Sequence, residues 1–212
     1  MLCLYNQPYD ERYPVVCFDE RPCFLIGDEV EPLSMQSGRI AKQHYTYVKN
    51  GSCSLLAAIE PLTGKRLAQV YERRTKKEYA MFLKALSACY PKAVKIRLVQ
   101  DNLSTHNASS FYEHFEAQEA FELAQRFEFY YTPKSASWLN MIEIEFSALV
   151  KQCLDRRIAS RKELGEQIEA ITKERSDKKI KIHWQFSIQA ARTKMNSCYC
   201  KVNAANQICK KT

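Results

Sequence analysis

The sequence predicts an α/β domain: a mixed sheet in which an antiparallel meander is continued by parallel strands, with helices on its faces. Three observations carry this prediction. Apolar runs of strand type at residues 15–18, 54–59 and 66–71 occupy the first third of the chain, and turn residues separate them. A stretch of helical period at 75–89 then leads to a buried-strand run at 96–99. A strand reached through a helical crossover runs parallel to an earlier one. Two more helical stretches are followed by another short strand, rich in aromatics, at 128–132.

In chain order, residues 1–14 are a polar and aromatic lead-in. The run 15–18 (Val15-Val16-Cys17-Phe18) ends in Asp19-Glu20. Residues 29–44 hold Pro32, Ser34, Ser37 and Gly38 and read as a loop. Residues 45–48 alternate weakly, and Asn50-Gly51 after them is a strong hairpin signal. The nearly continuous apolar strand 54–59 meets the turn Pro61-Leu62-Thr63-Gly64, and 66–71 follows. In 75–89, Tyr79, Phe82, Leu83 and Leu86 share one face, Thr75 can cap the start and Pro91 stops the helix. Strand 96–99 ends abruptly in Gln100-Asp101-Asn102. Segments 109–115 and 119–127 are amphipathic helices. Residues 140–154 form a helix burying Ile142, Phe146, Leu149, Val150 and Cys153. A charged helix at 161–179 has a thin apolar stripe (Leu164, Ile168, Ile171), a last helix spans 184–195, and the tail is polar. This order is that of an RNase H-like domain. It divides the chain into that domain at 1–160, a helical extension at 161–199 and a tail at 200–212.

Formal net charge is +8 over 212 residues, which favours a polyanionic partner, nucleic acid first. Nine cysteines, an odd and scattered set, come with neither a signal peptide nor an apolar run of spanning length. These features point to free thiols in a reducing, cytoplasmic compartment and to no membrane partner. Cys198, Cys200 and Cys209 lack a second pair at zinc-finger spacing. With five glycines there is no phosphate-cradling loop. No serine sits in a nucleophile elbow, and the four histidines show no zinc-ligand spacing.

What remains is a set of acids in expensive places. Asp19 and Asp101 stand at strand ends, outside which ligands bind in such sheets. Glu143 and Glu145 open an apolar helix. Unpaired buried charge costs several kcal/mol, so such groups take a partner or a metal. Asp19 and Glu20 point to opposite faces, so only one of them can look into a site. Asp101-Asn102 also fits turn chemistry. Asn140 and Glu143 also fit a capping box, and periodicity leaves Glu143 and Glu145 equally placed. Three acids from distant segments suit two Mg²⁺ (or Mn²⁺) ions roughly 4 Å apart, the arrangement that serves phosphodiester cleavage or strand transfer. Basic residues cluster at Arg73-Arg74 with Lys76-Lys77, at Arg156-Arg157 with Arg161-Lys162, and at Lys178-Lys179 with Lys181. Of these, Arg73, Arg74, Arg156 and Arg157, together with Lys134, are the predicted DNA contacts.

Three segments carry a resemblance: Val15-Val16-Cys17-Phe18-Asp19-Glu20, Val99-Gln100-Asp101-Asn102-Leu103-Ser104-Thr105-His106, and Tyr131-Thr132-Pro133-Lys134 through Trp138-Leu139-Asn140-Met141-Ile142-Glu143-Ile144-Glu145. With Tyr47-Val48-Lys49-Asn50-Gly51 and Gln152-Cys153-Leu154-Asp155-Arg156-Arg157-Ile158, they closely resemble bacterial insertion-sequence transposases of the Tc/mariner superfamily. The resemblance implies an RNase H-like fold and a DDE metal site made by Asp19, Asp101 and Glu143, because the Leu-Asn-x-x-Glu pattern selects Glu143 over Glu145. It implies supporting roles for Asn102, His106 and Asn140. It also implies cleavage and transfer of double-stranded DNA by a homodimer associated with the nucleoid. Family members usually carry helix-turn-helix modules ahead of the catalytic domain. Asp19 lies close to the first residue, so the expectation is a catalytic half, with those modules on a possible separate chain. Ser135-Ala136-Ser137 stands where the family often has His-Gly-Ser.

Overall fold

A computed structural model describes residues 1–134 and 136–202, the side chains of 197–202 excepted. Ser135 and the polar tail beyond Val202 therefore lie outside the described residues, as do the side chains of Cys198, Cys200 and Cys209. Two compact units are present among the described residues, one formed by residues 9–182 and a smaller one by 1–8 with those from 183 on. The smaller holds helix α1 (Leu2–Tyr5) and a later helix taken up below, with Tyr5 edge-on to Trp184 at 5.7 Å.

The larger unit is built on a five-stranded sheet of β1 (Val15–Asp28), β2 (Tyr47–Ile59), β3 (Arg66–Tyr71), β4 (Ile96–Gln100) and β5 (Phe127–Tyr131), in the order β3-β2-β1-β4-β5. The first three are antiparallel neighbours and β4 runs parallel to an earlier strand, β1, as predicted; β5 runs parallel to β4. Helix α2 (Lys76–Ala88) makes the crossover; its N-cap Thr75 and Glu78 form a capping box. After β4 come α3 (Ser109–Tyr112), shorter than predicted, and α4 (Ala117–Gln125), as long as predicted but two residues earlier. A 3₁₀ turn (Ser137–Leu139) precedes α5 (Ile142–Leu149), which loosens into a π-helical turn (Val150–Leu154) before α6 (Arg161–Asp177). The last helix, α7 (Ile188–Val202), belongs to the smaller unit and starts and ends later than expected.

Alternation along β1 and β2 divides the apolar residues between two faces. On one, Val16, Phe18, Leu56, Ala58 and Leu98 pack with Tyr79, Phe82, Leu83 and Leu86 of α2 and with Phe111, Ala120 and Leu123 of α3 and α4. On the other, α5 lies against β1 and β2, burying Ile142, Phe146 and Leu149. Helix α6 packs on β3, so it falls in the same compact unit as the sheet, whereas the sequence places an extension from residue 161.

Two strand predictions are corrected. Residues 15–18 do not end a strand at Asp19, because β1 continues to Asp28 paired with β2, and its Ile26 N–H also donates to the Ile158 carbonyl. The parallel neighbour β4 accompanies β1 only from Val15 to Cys17. Asp19 therefore sits mid-strand, just past the point where β4 departs. Asn50-Gly51 is not a hairpin turn either. Leu25 faces Gly51 and Ile26 faces Lys49, so Asn50 is the extra residue of a β-bulge inside β2, and Gly51 takes the required positive φ of 106°. The β2–β3 turn is at Pro61–Gly64 as predicted. Gly64 has φ +81°, and a Cβ there would stand 2.8 Å from the Ile180 carbonyl oxygen.

Candidate active site

Residues 17–19 of β1 lie beside the end of β4, and Asn140, just ahead of α5, is bonded to Phe18. Asp19 is half-buried, paired in register with Ala57, and its Oδ1 accepts from the Glu20 N–H at 2.8 Å. Burial, together with repulsion from Asp101 and Glu143, raises its carboxyl to about 6, against the pull of the Glu20 N–H and of His106. That repulsion brings the three predicted acids into one electrostatic neighbourhood. Among the described residues, no three His, Cys, Asp or Glu side chains already enclose a metal position. The donor set is nonetheless one of carboxylate oxygens, the chemistry a hard divalent cation prefers.

Asp101 follows β4 directly. Its Oδ1 accepts from the Leu103 N–H at 3.2 Å and meets His106 Nδ1 at 2.5 Å; the His106 contact holds the Asp101 carboxyl below its ordinary value. His106 is buried, stacked on Tyr79 and edge-on to Phe18. Burial would depress its pKa, but Asp101 and Glu20 outweigh burial and raise it to about 9. Glu20 Oε2 lies 3.6 Å from His106 Nε2, which is an electrostatic contact just beyond hydrogen-bond reach, and Arg74 Nη1 donates to Glu20 Oε1 at 3.2 Å. His106 thus acts on both Asp19 and Glu20, although the sequence reading let only one of the two look into a site. Sequence reasoning did not assign Glu20 this task. Nor did it find Gln100, which is fully buried and donates to the His106 carbonyl at 2.8 Å while accepting from Tyr79 Oη at 2.8 Å. Together these bonds fix the loop that carries Asp101. Asn102 is exposed.

At α5 the structure separates the two glutamates that periodicity left equal. Glu143 is exposed and Glu145 is buried against Arg66 and Arg175. The N-cap of α5 is Met141, whose side chain makes no capping bond, so the capping box with Asn140 as cap and Glu143 reaching back is absent. The Asn140 amide instead donates to the Phe18 carbonyl at 2.8 Å, while its oxygen accepts from the Ile142 N–H at 3.4 Å.

The predicted DNA contacts divide as well. Arg73, Arg74, Lys134 and Arg156 are exposed. Arg157 is committed elsewhere. It donates to Asp28 at 2.7 Å and to the carbonyls of Thr46, His44 and Tyr45, tying the segment after α5 to the ends of β1 and β2. Six cysteines (Cys3, Cys17, Cys23, Cys53, Cys89 and Cys153) are free thiols, as predicted. Among the described residues no helix is long and apolar enough to cross a membrane.

Comparison with known proteins agrees with this geometry. Among curated proteins there is no significant sequence match. Solved structures of similar fold include the Mos1 mariner paired-end complex with Mn, with 13% identity and a TM-score of 0.55, covering 81% of this chain and 51% of that one. The Mos1 strand transfer complex is similar at 14% identity and a TM-score of 0.55, covering 84% and 52%. At these identities the likeness establishes the fold, an RNase H-like mixed sheet, and this chain spans about half the length of those transposases. The family profile described as DDE superfamily endonuclease matches residues 14–165, a span that contains Asp19, Asp101 and Glu143. The chain belongs to the DDE superfamily of endonucleases.

Proposed function

We propose that this chain is the catalytic domain of a DNA transposase, with Asp19, Asp101 and Glu143 as the ligands of Mg²⁺ or Mn²⁺, two ions in all. The observation that carries the reading is the raised carboxyl of Asp19. It marks Asp19 as repelled by the acids after β4 and on α5, a repulsion offset by His106 and, at Asp101, also by Arg74. Bound divalent ions relieve that repulsion and supply Lewis-acid stabilisation to the attacking and leaving oxygens of a phosphodiester. The chain's own residues do the rest. His106 orients Asp101 through its Nδ1, Asn140 locks the Phe18 carbonyl beside Asp19 to the start of α5, and the exposed Glu143 completes the donor set. Asn102, next to Asp101, supports the site from the solvent side. Arg73, Arg74, Lys134 and Arg156 contact DNA phosphates, which position a duplex without reading its sequence.

Cleavage and strand transfer at the ends of an insertion sequence, assembly as a homodimer on DNA, a separate helix-turn-helix half and a place at the nucleoid are parts of the same proposal. The similarity to structures described as paired-end and strand transfer complexes supports it. The test is a strand-transfer assay with precut ends beside a cleavage assay, in Mg²⁺ and in Mn²⁺. Asp19→Asn, Asp101→Asn and Glu143→Gln should each abolish both activities and stay folded. Cleavage without joining by the wild type would make the chain a nuclease. DNA binding with neither product would make it a binding protein.

A further inference from the structure

Glu145 is the most heavily bonded carboxylate among the described residues. Arg66 Nε donates to its Oε1 at 2.8 Å, and Arg175 grips both oxygens, Nε to Oε1 at 2.9 Å and Nη2 to Oε2 at 3.0 Å. Arg66 is itself immobilised, with Nη1 on the Gly64 and Arg175 carbonyls and Nη2 on the Ile180 carbonyl. The three charged side chains are buried, at 2%, 4% and 12% exposure for Arg66, Glu145 and Arg175. All three lie in the larger unit, on β3, α5 and α6.

Helix α5 has eight residues before its π-helical turn, and its N-cap Met141 makes no side-chain capping bond. So short a helix does not hold its own position. It is fixed by tertiary bonds at two points, Asn140 in front and Glu145 behind. Positions 143 and 145 stand about 200° apart around the axis. Turning Glu145 inward onto the two arginines turns Glu143 to the exposed side, at the start of a helix that Asn140 bonds to the Phe18 carbonyl beside Asp19.

We infer that Glu145, held by Arg66 and Arg175, is a positioning residue that sets the rotation of α5 and so the place of Glu143 in the metal site. The inference rests on the reading of Glu143 as a ligand. It also gives α6 a part in the site, through Arg175.

The test is Mn²⁺ binding by the whole chain, read from the electron paramagnetic resonance of free Mn²⁺, with thermal unfolding recorded alongside. Glu143→Gln should remove most of the binding. Glu145→Gln should weaken it about tenfold, the usual effect of removing a group that orients a ligand. Arg175→Lys keeps the charge but loses the two-pronged grip, and should weaken binding by less. Ile168→Val, a core change on the same helix, should lower the melting temperature without moving Mn²⁺ affinity, and so separates positioning from stability. Wild-type Mn²⁺ affinity in folded Glu145→Gln and Arg175→Lys, with binding lost in Glu143→Gln, would overturn the inference and leave the ligand assignment standing. Wild-type affinity in Glu143→Gln would remove the ligand assignment and the inference together. Should Glu145→Gln fail to fold, Arg175→Lys decides on the same criterion.

Discussion

The Asn140 side-chain amide donates to the main-chain carbonyl of Phe18, 122 residues earlier, over 2.8 Å. The residue after Phe18 is Asp19, and three residues after Asn140 comes Glu143. One buried amide therefore joins the segments that carry two of the three site acids. Asn140→Ala leaves the Phe18 carbonyl unsatisfied in a buried place and should cost about 1–3 kcal/mol. Asn140→Asp keeps the acceptor for Ile142 N–H but not the donor, and should also lose stability. Urea unfolding of the two variants against wild type measures both effects.

Arg66 and Glu143 should respond in opposite ways to neutral substitution. Removing one partner of a buried ion pair typically costs about 3–5 kcal/mol, so Arg66→Met should be strongly destabilised. Glu143→Gln removes an exposed charge that repels Asp19 and should melt no lower than wild type in the absence of metal. Calorimetry in a chelating buffer tests the pair.

Without metal, stability should fall as pH rises from neutrality towards 9. The His106 pKa is raised from 6.5 to about 9 in the folded chain, so its contribution is fully present below 6.5 and is lost as pH passes through the folded value. Above it, Asp101 and Glu20 face a neutral ring. His106→Gln should flatten the difference in unfolding free energy between pH 6.5 and 9.5. An unchanged slope in the variant would contradict the charge on His106.

Arg156 and Arg157 are neighbours with different work. Arg156→Ala should lower the slope of log DNA affinity against log salt by about 0.9, the value of one phosphate contact, and leave stability unchanged. Arg157→Ala should lower stability and leave the salt slope alone, because its guanidinium is already held by Asp28 and three carbonyls. Salt titrations with labelled duplexes and a melting curve for each variant separate the two roles.

In the native protein, thiol labelling should reach Cys3 readily and Cys89 partly, while Cys17, Cys23, Cys53 and Cys153, all buried, should react only after unfolding. Peptide mapping after a short labelling pulse reads this directly.

What the sequence made legible was local. The cap at Thr75, the crossover to β4 and the turn before β3 each depend on residues close together, and each is where it was predicted. The length of β1 was hidden because Arg21 and Pro22 interrupt the apolar pattern, whereas pairing with β2 carries the strand past them. Asn50-Gly51 signalled a positive φ correctly, but the chain spends it on a bulge. Of the site, the two aspartates were readable as acids beside buried strands. The separation of Glu143 from Glu145 was not, since the arginines that decide it lie 79 and 30 residues away. The partners of Arg157 were hidden in the same way, its carbonyls being more than a hundred residues upstream.

Gly64 shows how far such distant wiring narrows what a position can become. A left-handed backbone by itself would admit Asn or Asp at modest cost. Here a Cβ would meet the Ile180 carbonyl oxygen at 2.8 Å, so those substitutes are shut out along with the rest. The oxygen that excludes them is the one that accepts from Arg66. In a library randomised at position 64, glycine alone should survive selection for a folded chain, and the residue enforcing that outcome belongs to the segment after α6.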